Sequence, residues 1–349
     1  VNKRPPRNGE IQEKKQHTLL VDGNALFKTG YFGAKDMYNS KGEHIGGIYQ
    51  FFTIIRKLLT EDLYHRVYIF WDGKFSGKLR YDLYEDYKSG RGKDYINGST
   101  PEENELRQLK KIWNYLNELY VRQLRDEIIE SDDFIAYYCK HKKSNEKITV
   151  CTNDTDIAQV IDTDIRIYYL HLKQYVDISN FSSYFRYKLE NTALVKIMIG
   201  DSADSIKGIK GLGLTTLLNH VPELNERAMS LDEVILIIKE KQDERIANKK
   251  KPLAVFNNII NSVTDGIQGN KIYEINESIV SLEEPKMTKN GINALKHLME
   301  NTLDSSGREI KKVYEYLKTD EIDKSIGEFR MEDYLVPFKN LIGREKLIF

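Results

Sequence analysis

Apolar residues along this chain fall into two rhythms. Unbroken runs at 18–21 (TLLV), 67–71 (VYIFW), 148–151 (ITVC) and 167–170 (IYYL) predict buried strands, as do residues 128–129 with their neighbours. Between them, residues 48–60 and 102–120 carry apolar positions at helical spacing. The second stretch has a start signal: Thr100 as N-cap, Pro101 in the first helical position and Glu103 completing a capping box. Leu106, Leu109, Trp113, Leu116 and Tyr120 then repeat on one face. Such alternation predicts an α/β fold with a mainly parallel central sheet flanked by helices. From about Leu194 onward the pattern is mostly helical, and residues 239–251 (KEKQDERIANKKK) read as a solvated helix or linker. Residues 1–16 are polar and read as a disordered tail. No run approaches the roughly 18 apolar residues of a membrane helix.

Composition narrows the chemistry. Two cysteines, Cys139 and Cys151, cannot build a disulfide framework, and no Cys/His spacing suits zinc. Without an export signal the cytoplasm is the default. The charges balance, 53 Lys+Arg against 53 Asp+Glu, which speaks against a nucleic-acid partner only if the acids are dispersed. They are not. Setting aside nine acids that share one site leaves 53 − 44 = +9 for the rest of the chain.

Seven of those nine follow strands, and two follow a helical run. Asp22 follows TLLV, Asp72 follows VYIFW, and Glu130, Asp132 and Asp133 follow the apolar pair at 128–129. Asp154 and Asp156 follow ITVC, and Asp201 and Asp204 lie in the segment 200–213, GDSADSIKGIKGLG. In open α/β sheets the functional crevice lies beyond the carboxyl ends of the strands, so these acids are delivered to one edge. Each taken alone reads equally well as the N-cap of the next helix. Together they repel, and they stay ionised most easily around divalent cations. All-oxygen donors suit Mg²⁺ or Mn²⁺, and two such ions can drive in-line displacement at phosphorus. No P-loop and no Ser-His-Asp or Cys-His arrangement competes.

Two further segments suit nucleic acid. Residues 78–93 (KLRYDLYEDYKSGRGK), read as a helix, put Arg80, Tyr84, Tyr87, Lys88 and Arg91 on one face, with cations for phosphates and rings for unpaired bases. A solvated amphipathic helix is the alternative. Residues 208–213 (GIKGLG) allow a tight hairpin whose N–H groups approach phosphate, with Gly208, Lys210, Gly211 and Gly213 as contacts.

In this order the motifs resemble the flap endonuclease / 5′→3′ exonuclease family: phage 5′ nucleases and the N-terminal nuclease domain of bacterial DNA polymerase I. LLVDGNALF at 19–27, NSKGEHIGGIYQFF at 39–52, FWDGK at 70–74, ESDD at 130–133, TNDTD at 152–156 and GDSADSIKGIKGLG carry the likeness, over about residues 19–218. Ser131 stands for the family's usual alanine and Ser205 for its usual asparagine. The resemblance implies a 5′ nuclease (PIN-like) core over 17–193 with a helical arch at 75–100. It implies a helix–hairpin–helix DNA-binding region and helical C-terminal extension over 194–349. Asp22, Asp72, Glu130 and Asp132 would serve a first metal ion, Asp154, Asp156, Asp201 and Asp204 a second, with Asp133 beside them. Lys88 and Arg91 would act on the scissile phosphate, and Arg80, Tyr84 and Tyr87 on the threaded strand. The hairpin would hold duplex and K⁺. Branched DNA with a 5′ flap or an RNA–DNA primer junction is the implied substrate, in replication, in a phage or bacterial setting. A polymerase or single-strand-binding protein is the implied partner, and a stand-alone monomer the expected form. A non-catalytic DNA-structure binder and a small-molecule phosphatase are the rivals. The first should lack some of the nine acids, and the second needs neither arch nor hairpin.

Overall fold

The unbroken apolar runs become strands because both faces of the sheet are covered. The structure, a computed structural model, describes residues 15–89, 103–264, 269–327 and 330–345. Strands β1 (Gln16–Asp22), β2 (Arg66–Trp71), β3 (Arg122–Arg125), β4 (Glu146–Thr152), β5 (Ile165–Tyr169) and β6 (Gln174–Val176) form a sheet in the order β3-β2-β1-β4-β5-β6. All neighbours are parallel except β5 and β6. Every residue of β2 and all but the first of β1 are buried, as strands sandwiched between helical layers require.

Alternate residues of the strands feed two apolar cores. Leu20, Tyr68, Phe70 and Val150 face one side, against Phe134, Ile135 and Tyr138 of the helix Ser131–Lys140, Val195 and Met198 of Thr192–Ile199, and Val234 and Ile238 of Leu231–Ala247. Leu19, Val21, Val67 and Ile69 face the other, against the helices Gly23–Gly33, Gly46–Glu61 and Glu103–Asn117. The C-terminal helices join this second core through Val313, Leu317, Met331, Tyr334 and Phe338. Residues on both sides of the expected 193/194 division therefore share each core. A polar seam reinforces the return of the chain. The last carbonyls of the helix Lys289–Glu300 and the Asn301 carbonyl beyond it accept from Tyr68 Oη, Arg66 Nη1 and Arg122 Nη2. These donors answer the electron-rich end of that helix.

Two expectations are corrected. The strand expected at residues 128–129 is β3, Arg122–Arg125, and the apolar pair lies in the loop leading to Ser131–Lys140. The chain is already in β1 at Gln16, whose N–H donates to Asn145 O at 2.8 Å, so the expected tail cannot reach that far. The capping residues Thr100 and Pro101 lie outside the described residues. Among the described residues no helix is long and apolar enough to cross a membrane.

Candidate metal centre

The carboxyl edge of the sheet gathers the acids. Asp22 closes β1 and caps the helix Gly23–Gly33, its Oδ1 accepting from Ala25 N at 3.0 Å while Oδ2 accepts from Thr152 Oγ1 at 3.0 Å. The N-cap reading of this residue is thus literally true, yet the carboxylate also faces its neighbours. Asp72, just beyond β2, accepts from Ser131 N at 2.9 Å. Asp154 follows β4 and accepts from Asp156 N at 2.7 Å. Glu130 and Asp132 arrive on the first turn of Ser131–Lys140.

Asp201 and Asp204 come from a loop closed by an antiparallel ribbon, Gly200–Asp201 with Ile206–Lys207. Only glycine fits where this loop closes. Gly200 has φ +72°, a Cβ there would stand 2.3 Å from Gly208 N, and one on Gly208 would stand 2.1 Å from Ile199 O. Gly208 is thereby a packing residue as well as part of the expected hairpin.

The electrostatics of the cluster are unfavourable without cations. Burial, then Asp72, pushes the Asp22 carboxyl up to about 7. Burial, then Asp154, lifts Asp156 to about 7 despite Lys196. Asp72 is also raised by burial, with Lys88 opposing and Glu130 reinforcing. Asp132 is pushed furthest, by burial and then by Asp154, Asp22, Asp72 and Glu130, and its buried Oδ1 has no hydrogen-bond partner. Among the described residues no three His, Cys, Asp or Glu side chains converge tightly enough to hold one ion as they stand. Ammonium groups are drawn in instead. Lys88 donates to Glu130, and Lys196 bridges Asp156 Oδ1 at 2.9 Å and Asp201 Oδ2 at 2.7 Å. The orphaned Asp132 oxygen, the mutual repulsion and the all-oxygen donor set fit hard divalent cations.

Lys196 was missed in the sequence. Its signal was there: a single lysine within the apolar helix TALVKIMI, which ends just before Asp201.

The arch residues are placed differently from expectation. Among the described residues of this segment α-helix is confined to Lys78–Tyr81, with turns beyond it, and Arg91 lies outside the described residues. Arg80 is 5% exposed and faces inward. Its Nε donates to Ile279 O at 2.9 Å, Nη1 to Glu130 Oε2 at 2.6 Å and Nη2 to Asp133 Oδ1 at 2.9 Å. Arg80 is thus an internal counter-ion of Glu130 and Asp133 in this structure. Asp133 is correspondingly engaged by Arg80 and by Lys286 N, at 2.7 Å. Tyr87 is buried too, its hydroxyl donating to Glu130 at 3.1 Å, while Tyr84 is half-buried. Burial works against ionised Glu130, but Lys88, Arg80 and Tyr87 outweigh it and hold that carboxyl at about 2. Lys88 N donates to Asp204 O at 2.7 Å, tying the arch base to the loop of Asp201 and Asp204. A cavity of about 20 Å³, room for roughly one water, lies between Arg80, Tyr87 and the acids.

At the hairpin, Lys210, Gly211 and Gly213 are exposed. Gly211 has φ +81° and nothing within 4 Å of an added Cβ, so its backbone is open to approach.

Residues 17–187 match the family described as 5′-3′ exonuclease, N-terminal resolvase-like domain. The thermostable DNA polymerase I of Thermus caldophilus is 29% identical over 241 residues, which are 68% of this chain and 27% of that polymerase. The chain thus spans about a quarter of the polymerase's length. A 5′-3′ exonuclease of Mycoplasmopsis pulmonis is 28% identical over 260 residues, 71% of this chain and 80% of its own length. Among solved structures, the flap endonuclease of bacteriophage T5, in a pseudo-enzyme–product complex with DNA and metal ions, matches with a TM-score of 0.58 at 17% identity. That match covers 88% of this chain and 100% of the phage protein. At such identity the likeness is one of fold.

Proposed function

We propose that the chain, whose residues 17–187 match the 5′-3′ exonuclease N-terminal domain, is a structure-specific 5′ nuclease hydrolysing phosphodiesters at 5′ flaps or RNA primers of replicating DNA. The observation that carries this is the crowding of Asp22, Asp72, Asp132 and Asp156 at one sheet edge, each carboxyl raised by burial and by its neighbours. Two Mg²⁺ or Mn²⁺ ions bound there would offset that charge, neutralise the scissile phosphate and lower the pKa of the attacking water. Asp22, Asp72, Glu130 and Asp132 would hold one, and Asp154, Asp156, Asp201 and Asp204 the other.

The protein's own groups do the rest. Lys88 leaves Glu130 to meet phosphate charge above the acids, with Arg91 beside it. Lys196 bridges Asp156 and Asp201 and offsets their mutual repulsion. Tyr84 and Tyr87 line the path of the strand. Gly208, Lys210, Gly211 and Gly213 hold duplex through backbone and ammonium, with K⁺ as the fitting monovalent cation. A monomer in the cytoplasm, meeting a polymerase or single-strand-binding protein on the same junction, is the setting this reading requires.

The test is incubation of end-labelled 5′-flap DNA with the protein, with Mg²⁺ and with chelator. Cleavage near the junction only with the metal is expected, and product length separates endonucleolytic from exonucleolytic cuts. A folded protein that leaves flap, nicked and RNA-primed duplex intact at saturating Mg²⁺ overturns the proposal.

A further inference from the structure

Residues 239–251 hold six basic and three acidic side chains in a chain whose charges cancel as a whole. Their last three, Lys249, Lys250 and Lys251, are all exposed, and among the described residues no hydrogen bond or ion pair engages any of the three ammonium groups. They occupy the turn between the helices Leu231–Ala247 and Ala254–Thr264.

This turn is built, not slack. Gln242, 4% exposed, accepts from Leu253 N at 3.1 Å and donates to Asn257 Oδ1 at 2.7 Å. Arg245 Nη2 donates to Lys251 O at 3.0 Å, and Lys250 N to Arg245 O at 2.8 Å. Lys249 takes φ +55°, a left-handed conformation that costs a non-glycine residue about 1–2 kcal/mol. Three consecutive lysines are thus carried on a backbone that is held in place by hydrogen bonds. Compensation of the preceding helix's C-terminus does not explain them: that end carries about half a negative charge, and Arg245 already sits in the last turn.

Its place in the fold names the partner. Asn258 Nδ2 donates to Lys210 O at 2.8 Å, joining the helix Ala254–Thr264 to the hairpin. At the far end of the helix Leu214–His220, His220 packs edge-on against Phe256 at 4.7 Å and accepts through its carbonyl from Lys241 Nζ at 2.5 Å. The helix Leu231–Ala247, which leads into the lysine turn, is thus tied through Lys241 to the end of the helix Leu214–His220 that points away from the hairpin.

We infer that residues 249–251 form a second phosphate-binding surface, which engages the backbone of the same duplex beyond the hairpin. The inference rests on the duplex-binding reading proposed above. The backbone of double-stranded DNA supplies what the turn demands: regularly spaced anions with no required sequence.

The test is fluorescence anisotropy with a blunt duplex of about 20 base pairs, over a KCl series, comparing the wild-type chain with the triple variant Lys249→Gln/Lys250→Gln/Lys251→Gln. Each lost phosphate contact should lower the slope of log K against log salt by about 0.9, so the variant should lose about 2 to 3 units of slope. Lys→Arg at all three positions should restore the slope, and single-turnover cleavage at saturating protein should not change. Equal slopes for wild type and the glutamine variant on a long duplex that the wild type binds overturn the inference and leave the nuclease reading intact. A wild-type protein that binds no duplex at any salt overturns both.

Discussion

Strands β1 and β4 leave the sheet at two edges that treat polar groups in opposite ways. At the amino edge, Thr18 donates to Glu146, which also accepts from Tyr138 Oη at 2.8 Å. His17 Nε2 meets Thr149 Oγ1 at 2.9 Å, and Arg166 pairs with Asp62 at 2.6 Å. These buried polar groups complement one another as donors and acceptors. At the carboxyl edge, acids face acids and lysines are drawn in as counter-ions. A cleft of about 1140 Å³ opens at the amino edge beside His17, Asp62 and Arg166. Its charges are mutually paired, so cleft size does not locate the chemistry in this molecule; unrelieved charge does. Satisfied networks stabilise a fold, whereas a cluster that repels itself persists only if something outside the chain completes it.

The sharpest way to break that contrast is to remove one acid from the carboxyl edge. Asp154→Asn or Asp201→Asn should slow cleavage by at least about 10²–10³-fold, as for loss of a group acting on transition-state charge. Flap binding should be largely kept. Thermal unfolding without metal should show no loss of stability for Asp154→Asn, because repulsion is relieved. Wild-type rates at saturating Mg²⁺ would remove either residue from the site. At the amino edge the reverse should hold: Glu146→Ala removes hydrogen bonds of Thr18 and Tyr138, should destabilise by about 2–3 kcal/mol, and should leave cleavage per folded molecule alone.

The two edges also differ in their response to pH. Burial, opposed by Asp62, lowers the His17 imidazole to about 4, so the fold favours its neutral form. The unfolded chain, with an ordinary value near 6.5, binds the proton first as pH falls. His17 therefore contributes its full share above about pH 6.5 and loses it progressively down to about pH 4, a difference on the order of 3 kcal/mol. Urea unfolding of wild type and His17→Gln across that window should give stability curves that converge toward acid. Parallel curves would show that the imidazole is not held neutral.

Lys88 links the edge to the arch. If it only gathers phosphate, Lys88→Ala should weaken binding and recover its rate at high concentration. A role at the scissile phosphate predicts a loss on the order of 100-fold in single-turnover rate that persists at saturation. A plateau within a few-fold of wild type would make Lys88 a docking residue and a counter-ion of Glu130, nothing more.

What the sequence made legible follows from burial. β1, β2, β4 and β5 are covered on both faces and so read as apolar runs, and the acids at their carboxyl ends could be located from those runs alone. β3 could not be: RQLR is an edge strand whose arginines serve other partners, one of them the Asn301 carbonyl, while the nearby apolar pair imitated a strand. The arch shows a different limit. Spacing put Arg80, Tyr87 and Lys88 on one face, but it could not say which way that face turns. The demand of Glu130 and Asp133 for counter-charge turns it inward. Lys196 needed the same reasoning, since a lysine in an apolar helix is informative only when the acids opposite it are known.

The smallest effect concerns strain. Among the described residues six non-glycine residues have positive φ; two of them, Lys88 at 56° and Ser205 at 59°, lie at the acid cluster, and none belongs to β1 or β4. Lys88 N donates to Asp204 O, so the two strained positions are one residue from direct contact. A left-handed serine carries a penalty that asparagine, which tolerates this conformation better, reduces. Ser205→Asn should therefore raise stability by about 0.5–1 kcal/mol, seen as a higher urea midpoint at unchanged slope, with cleavage within a few-fold of wild type. Ser205→Gly removes the same strain but frees the unfolded chain, so its gain should be smaller. If both variants lower the midpoint, the serine hydroxyl rather than the backbone sets the energy of this position, and the carboxyl edge is distinguished from the amino edge by charge alone.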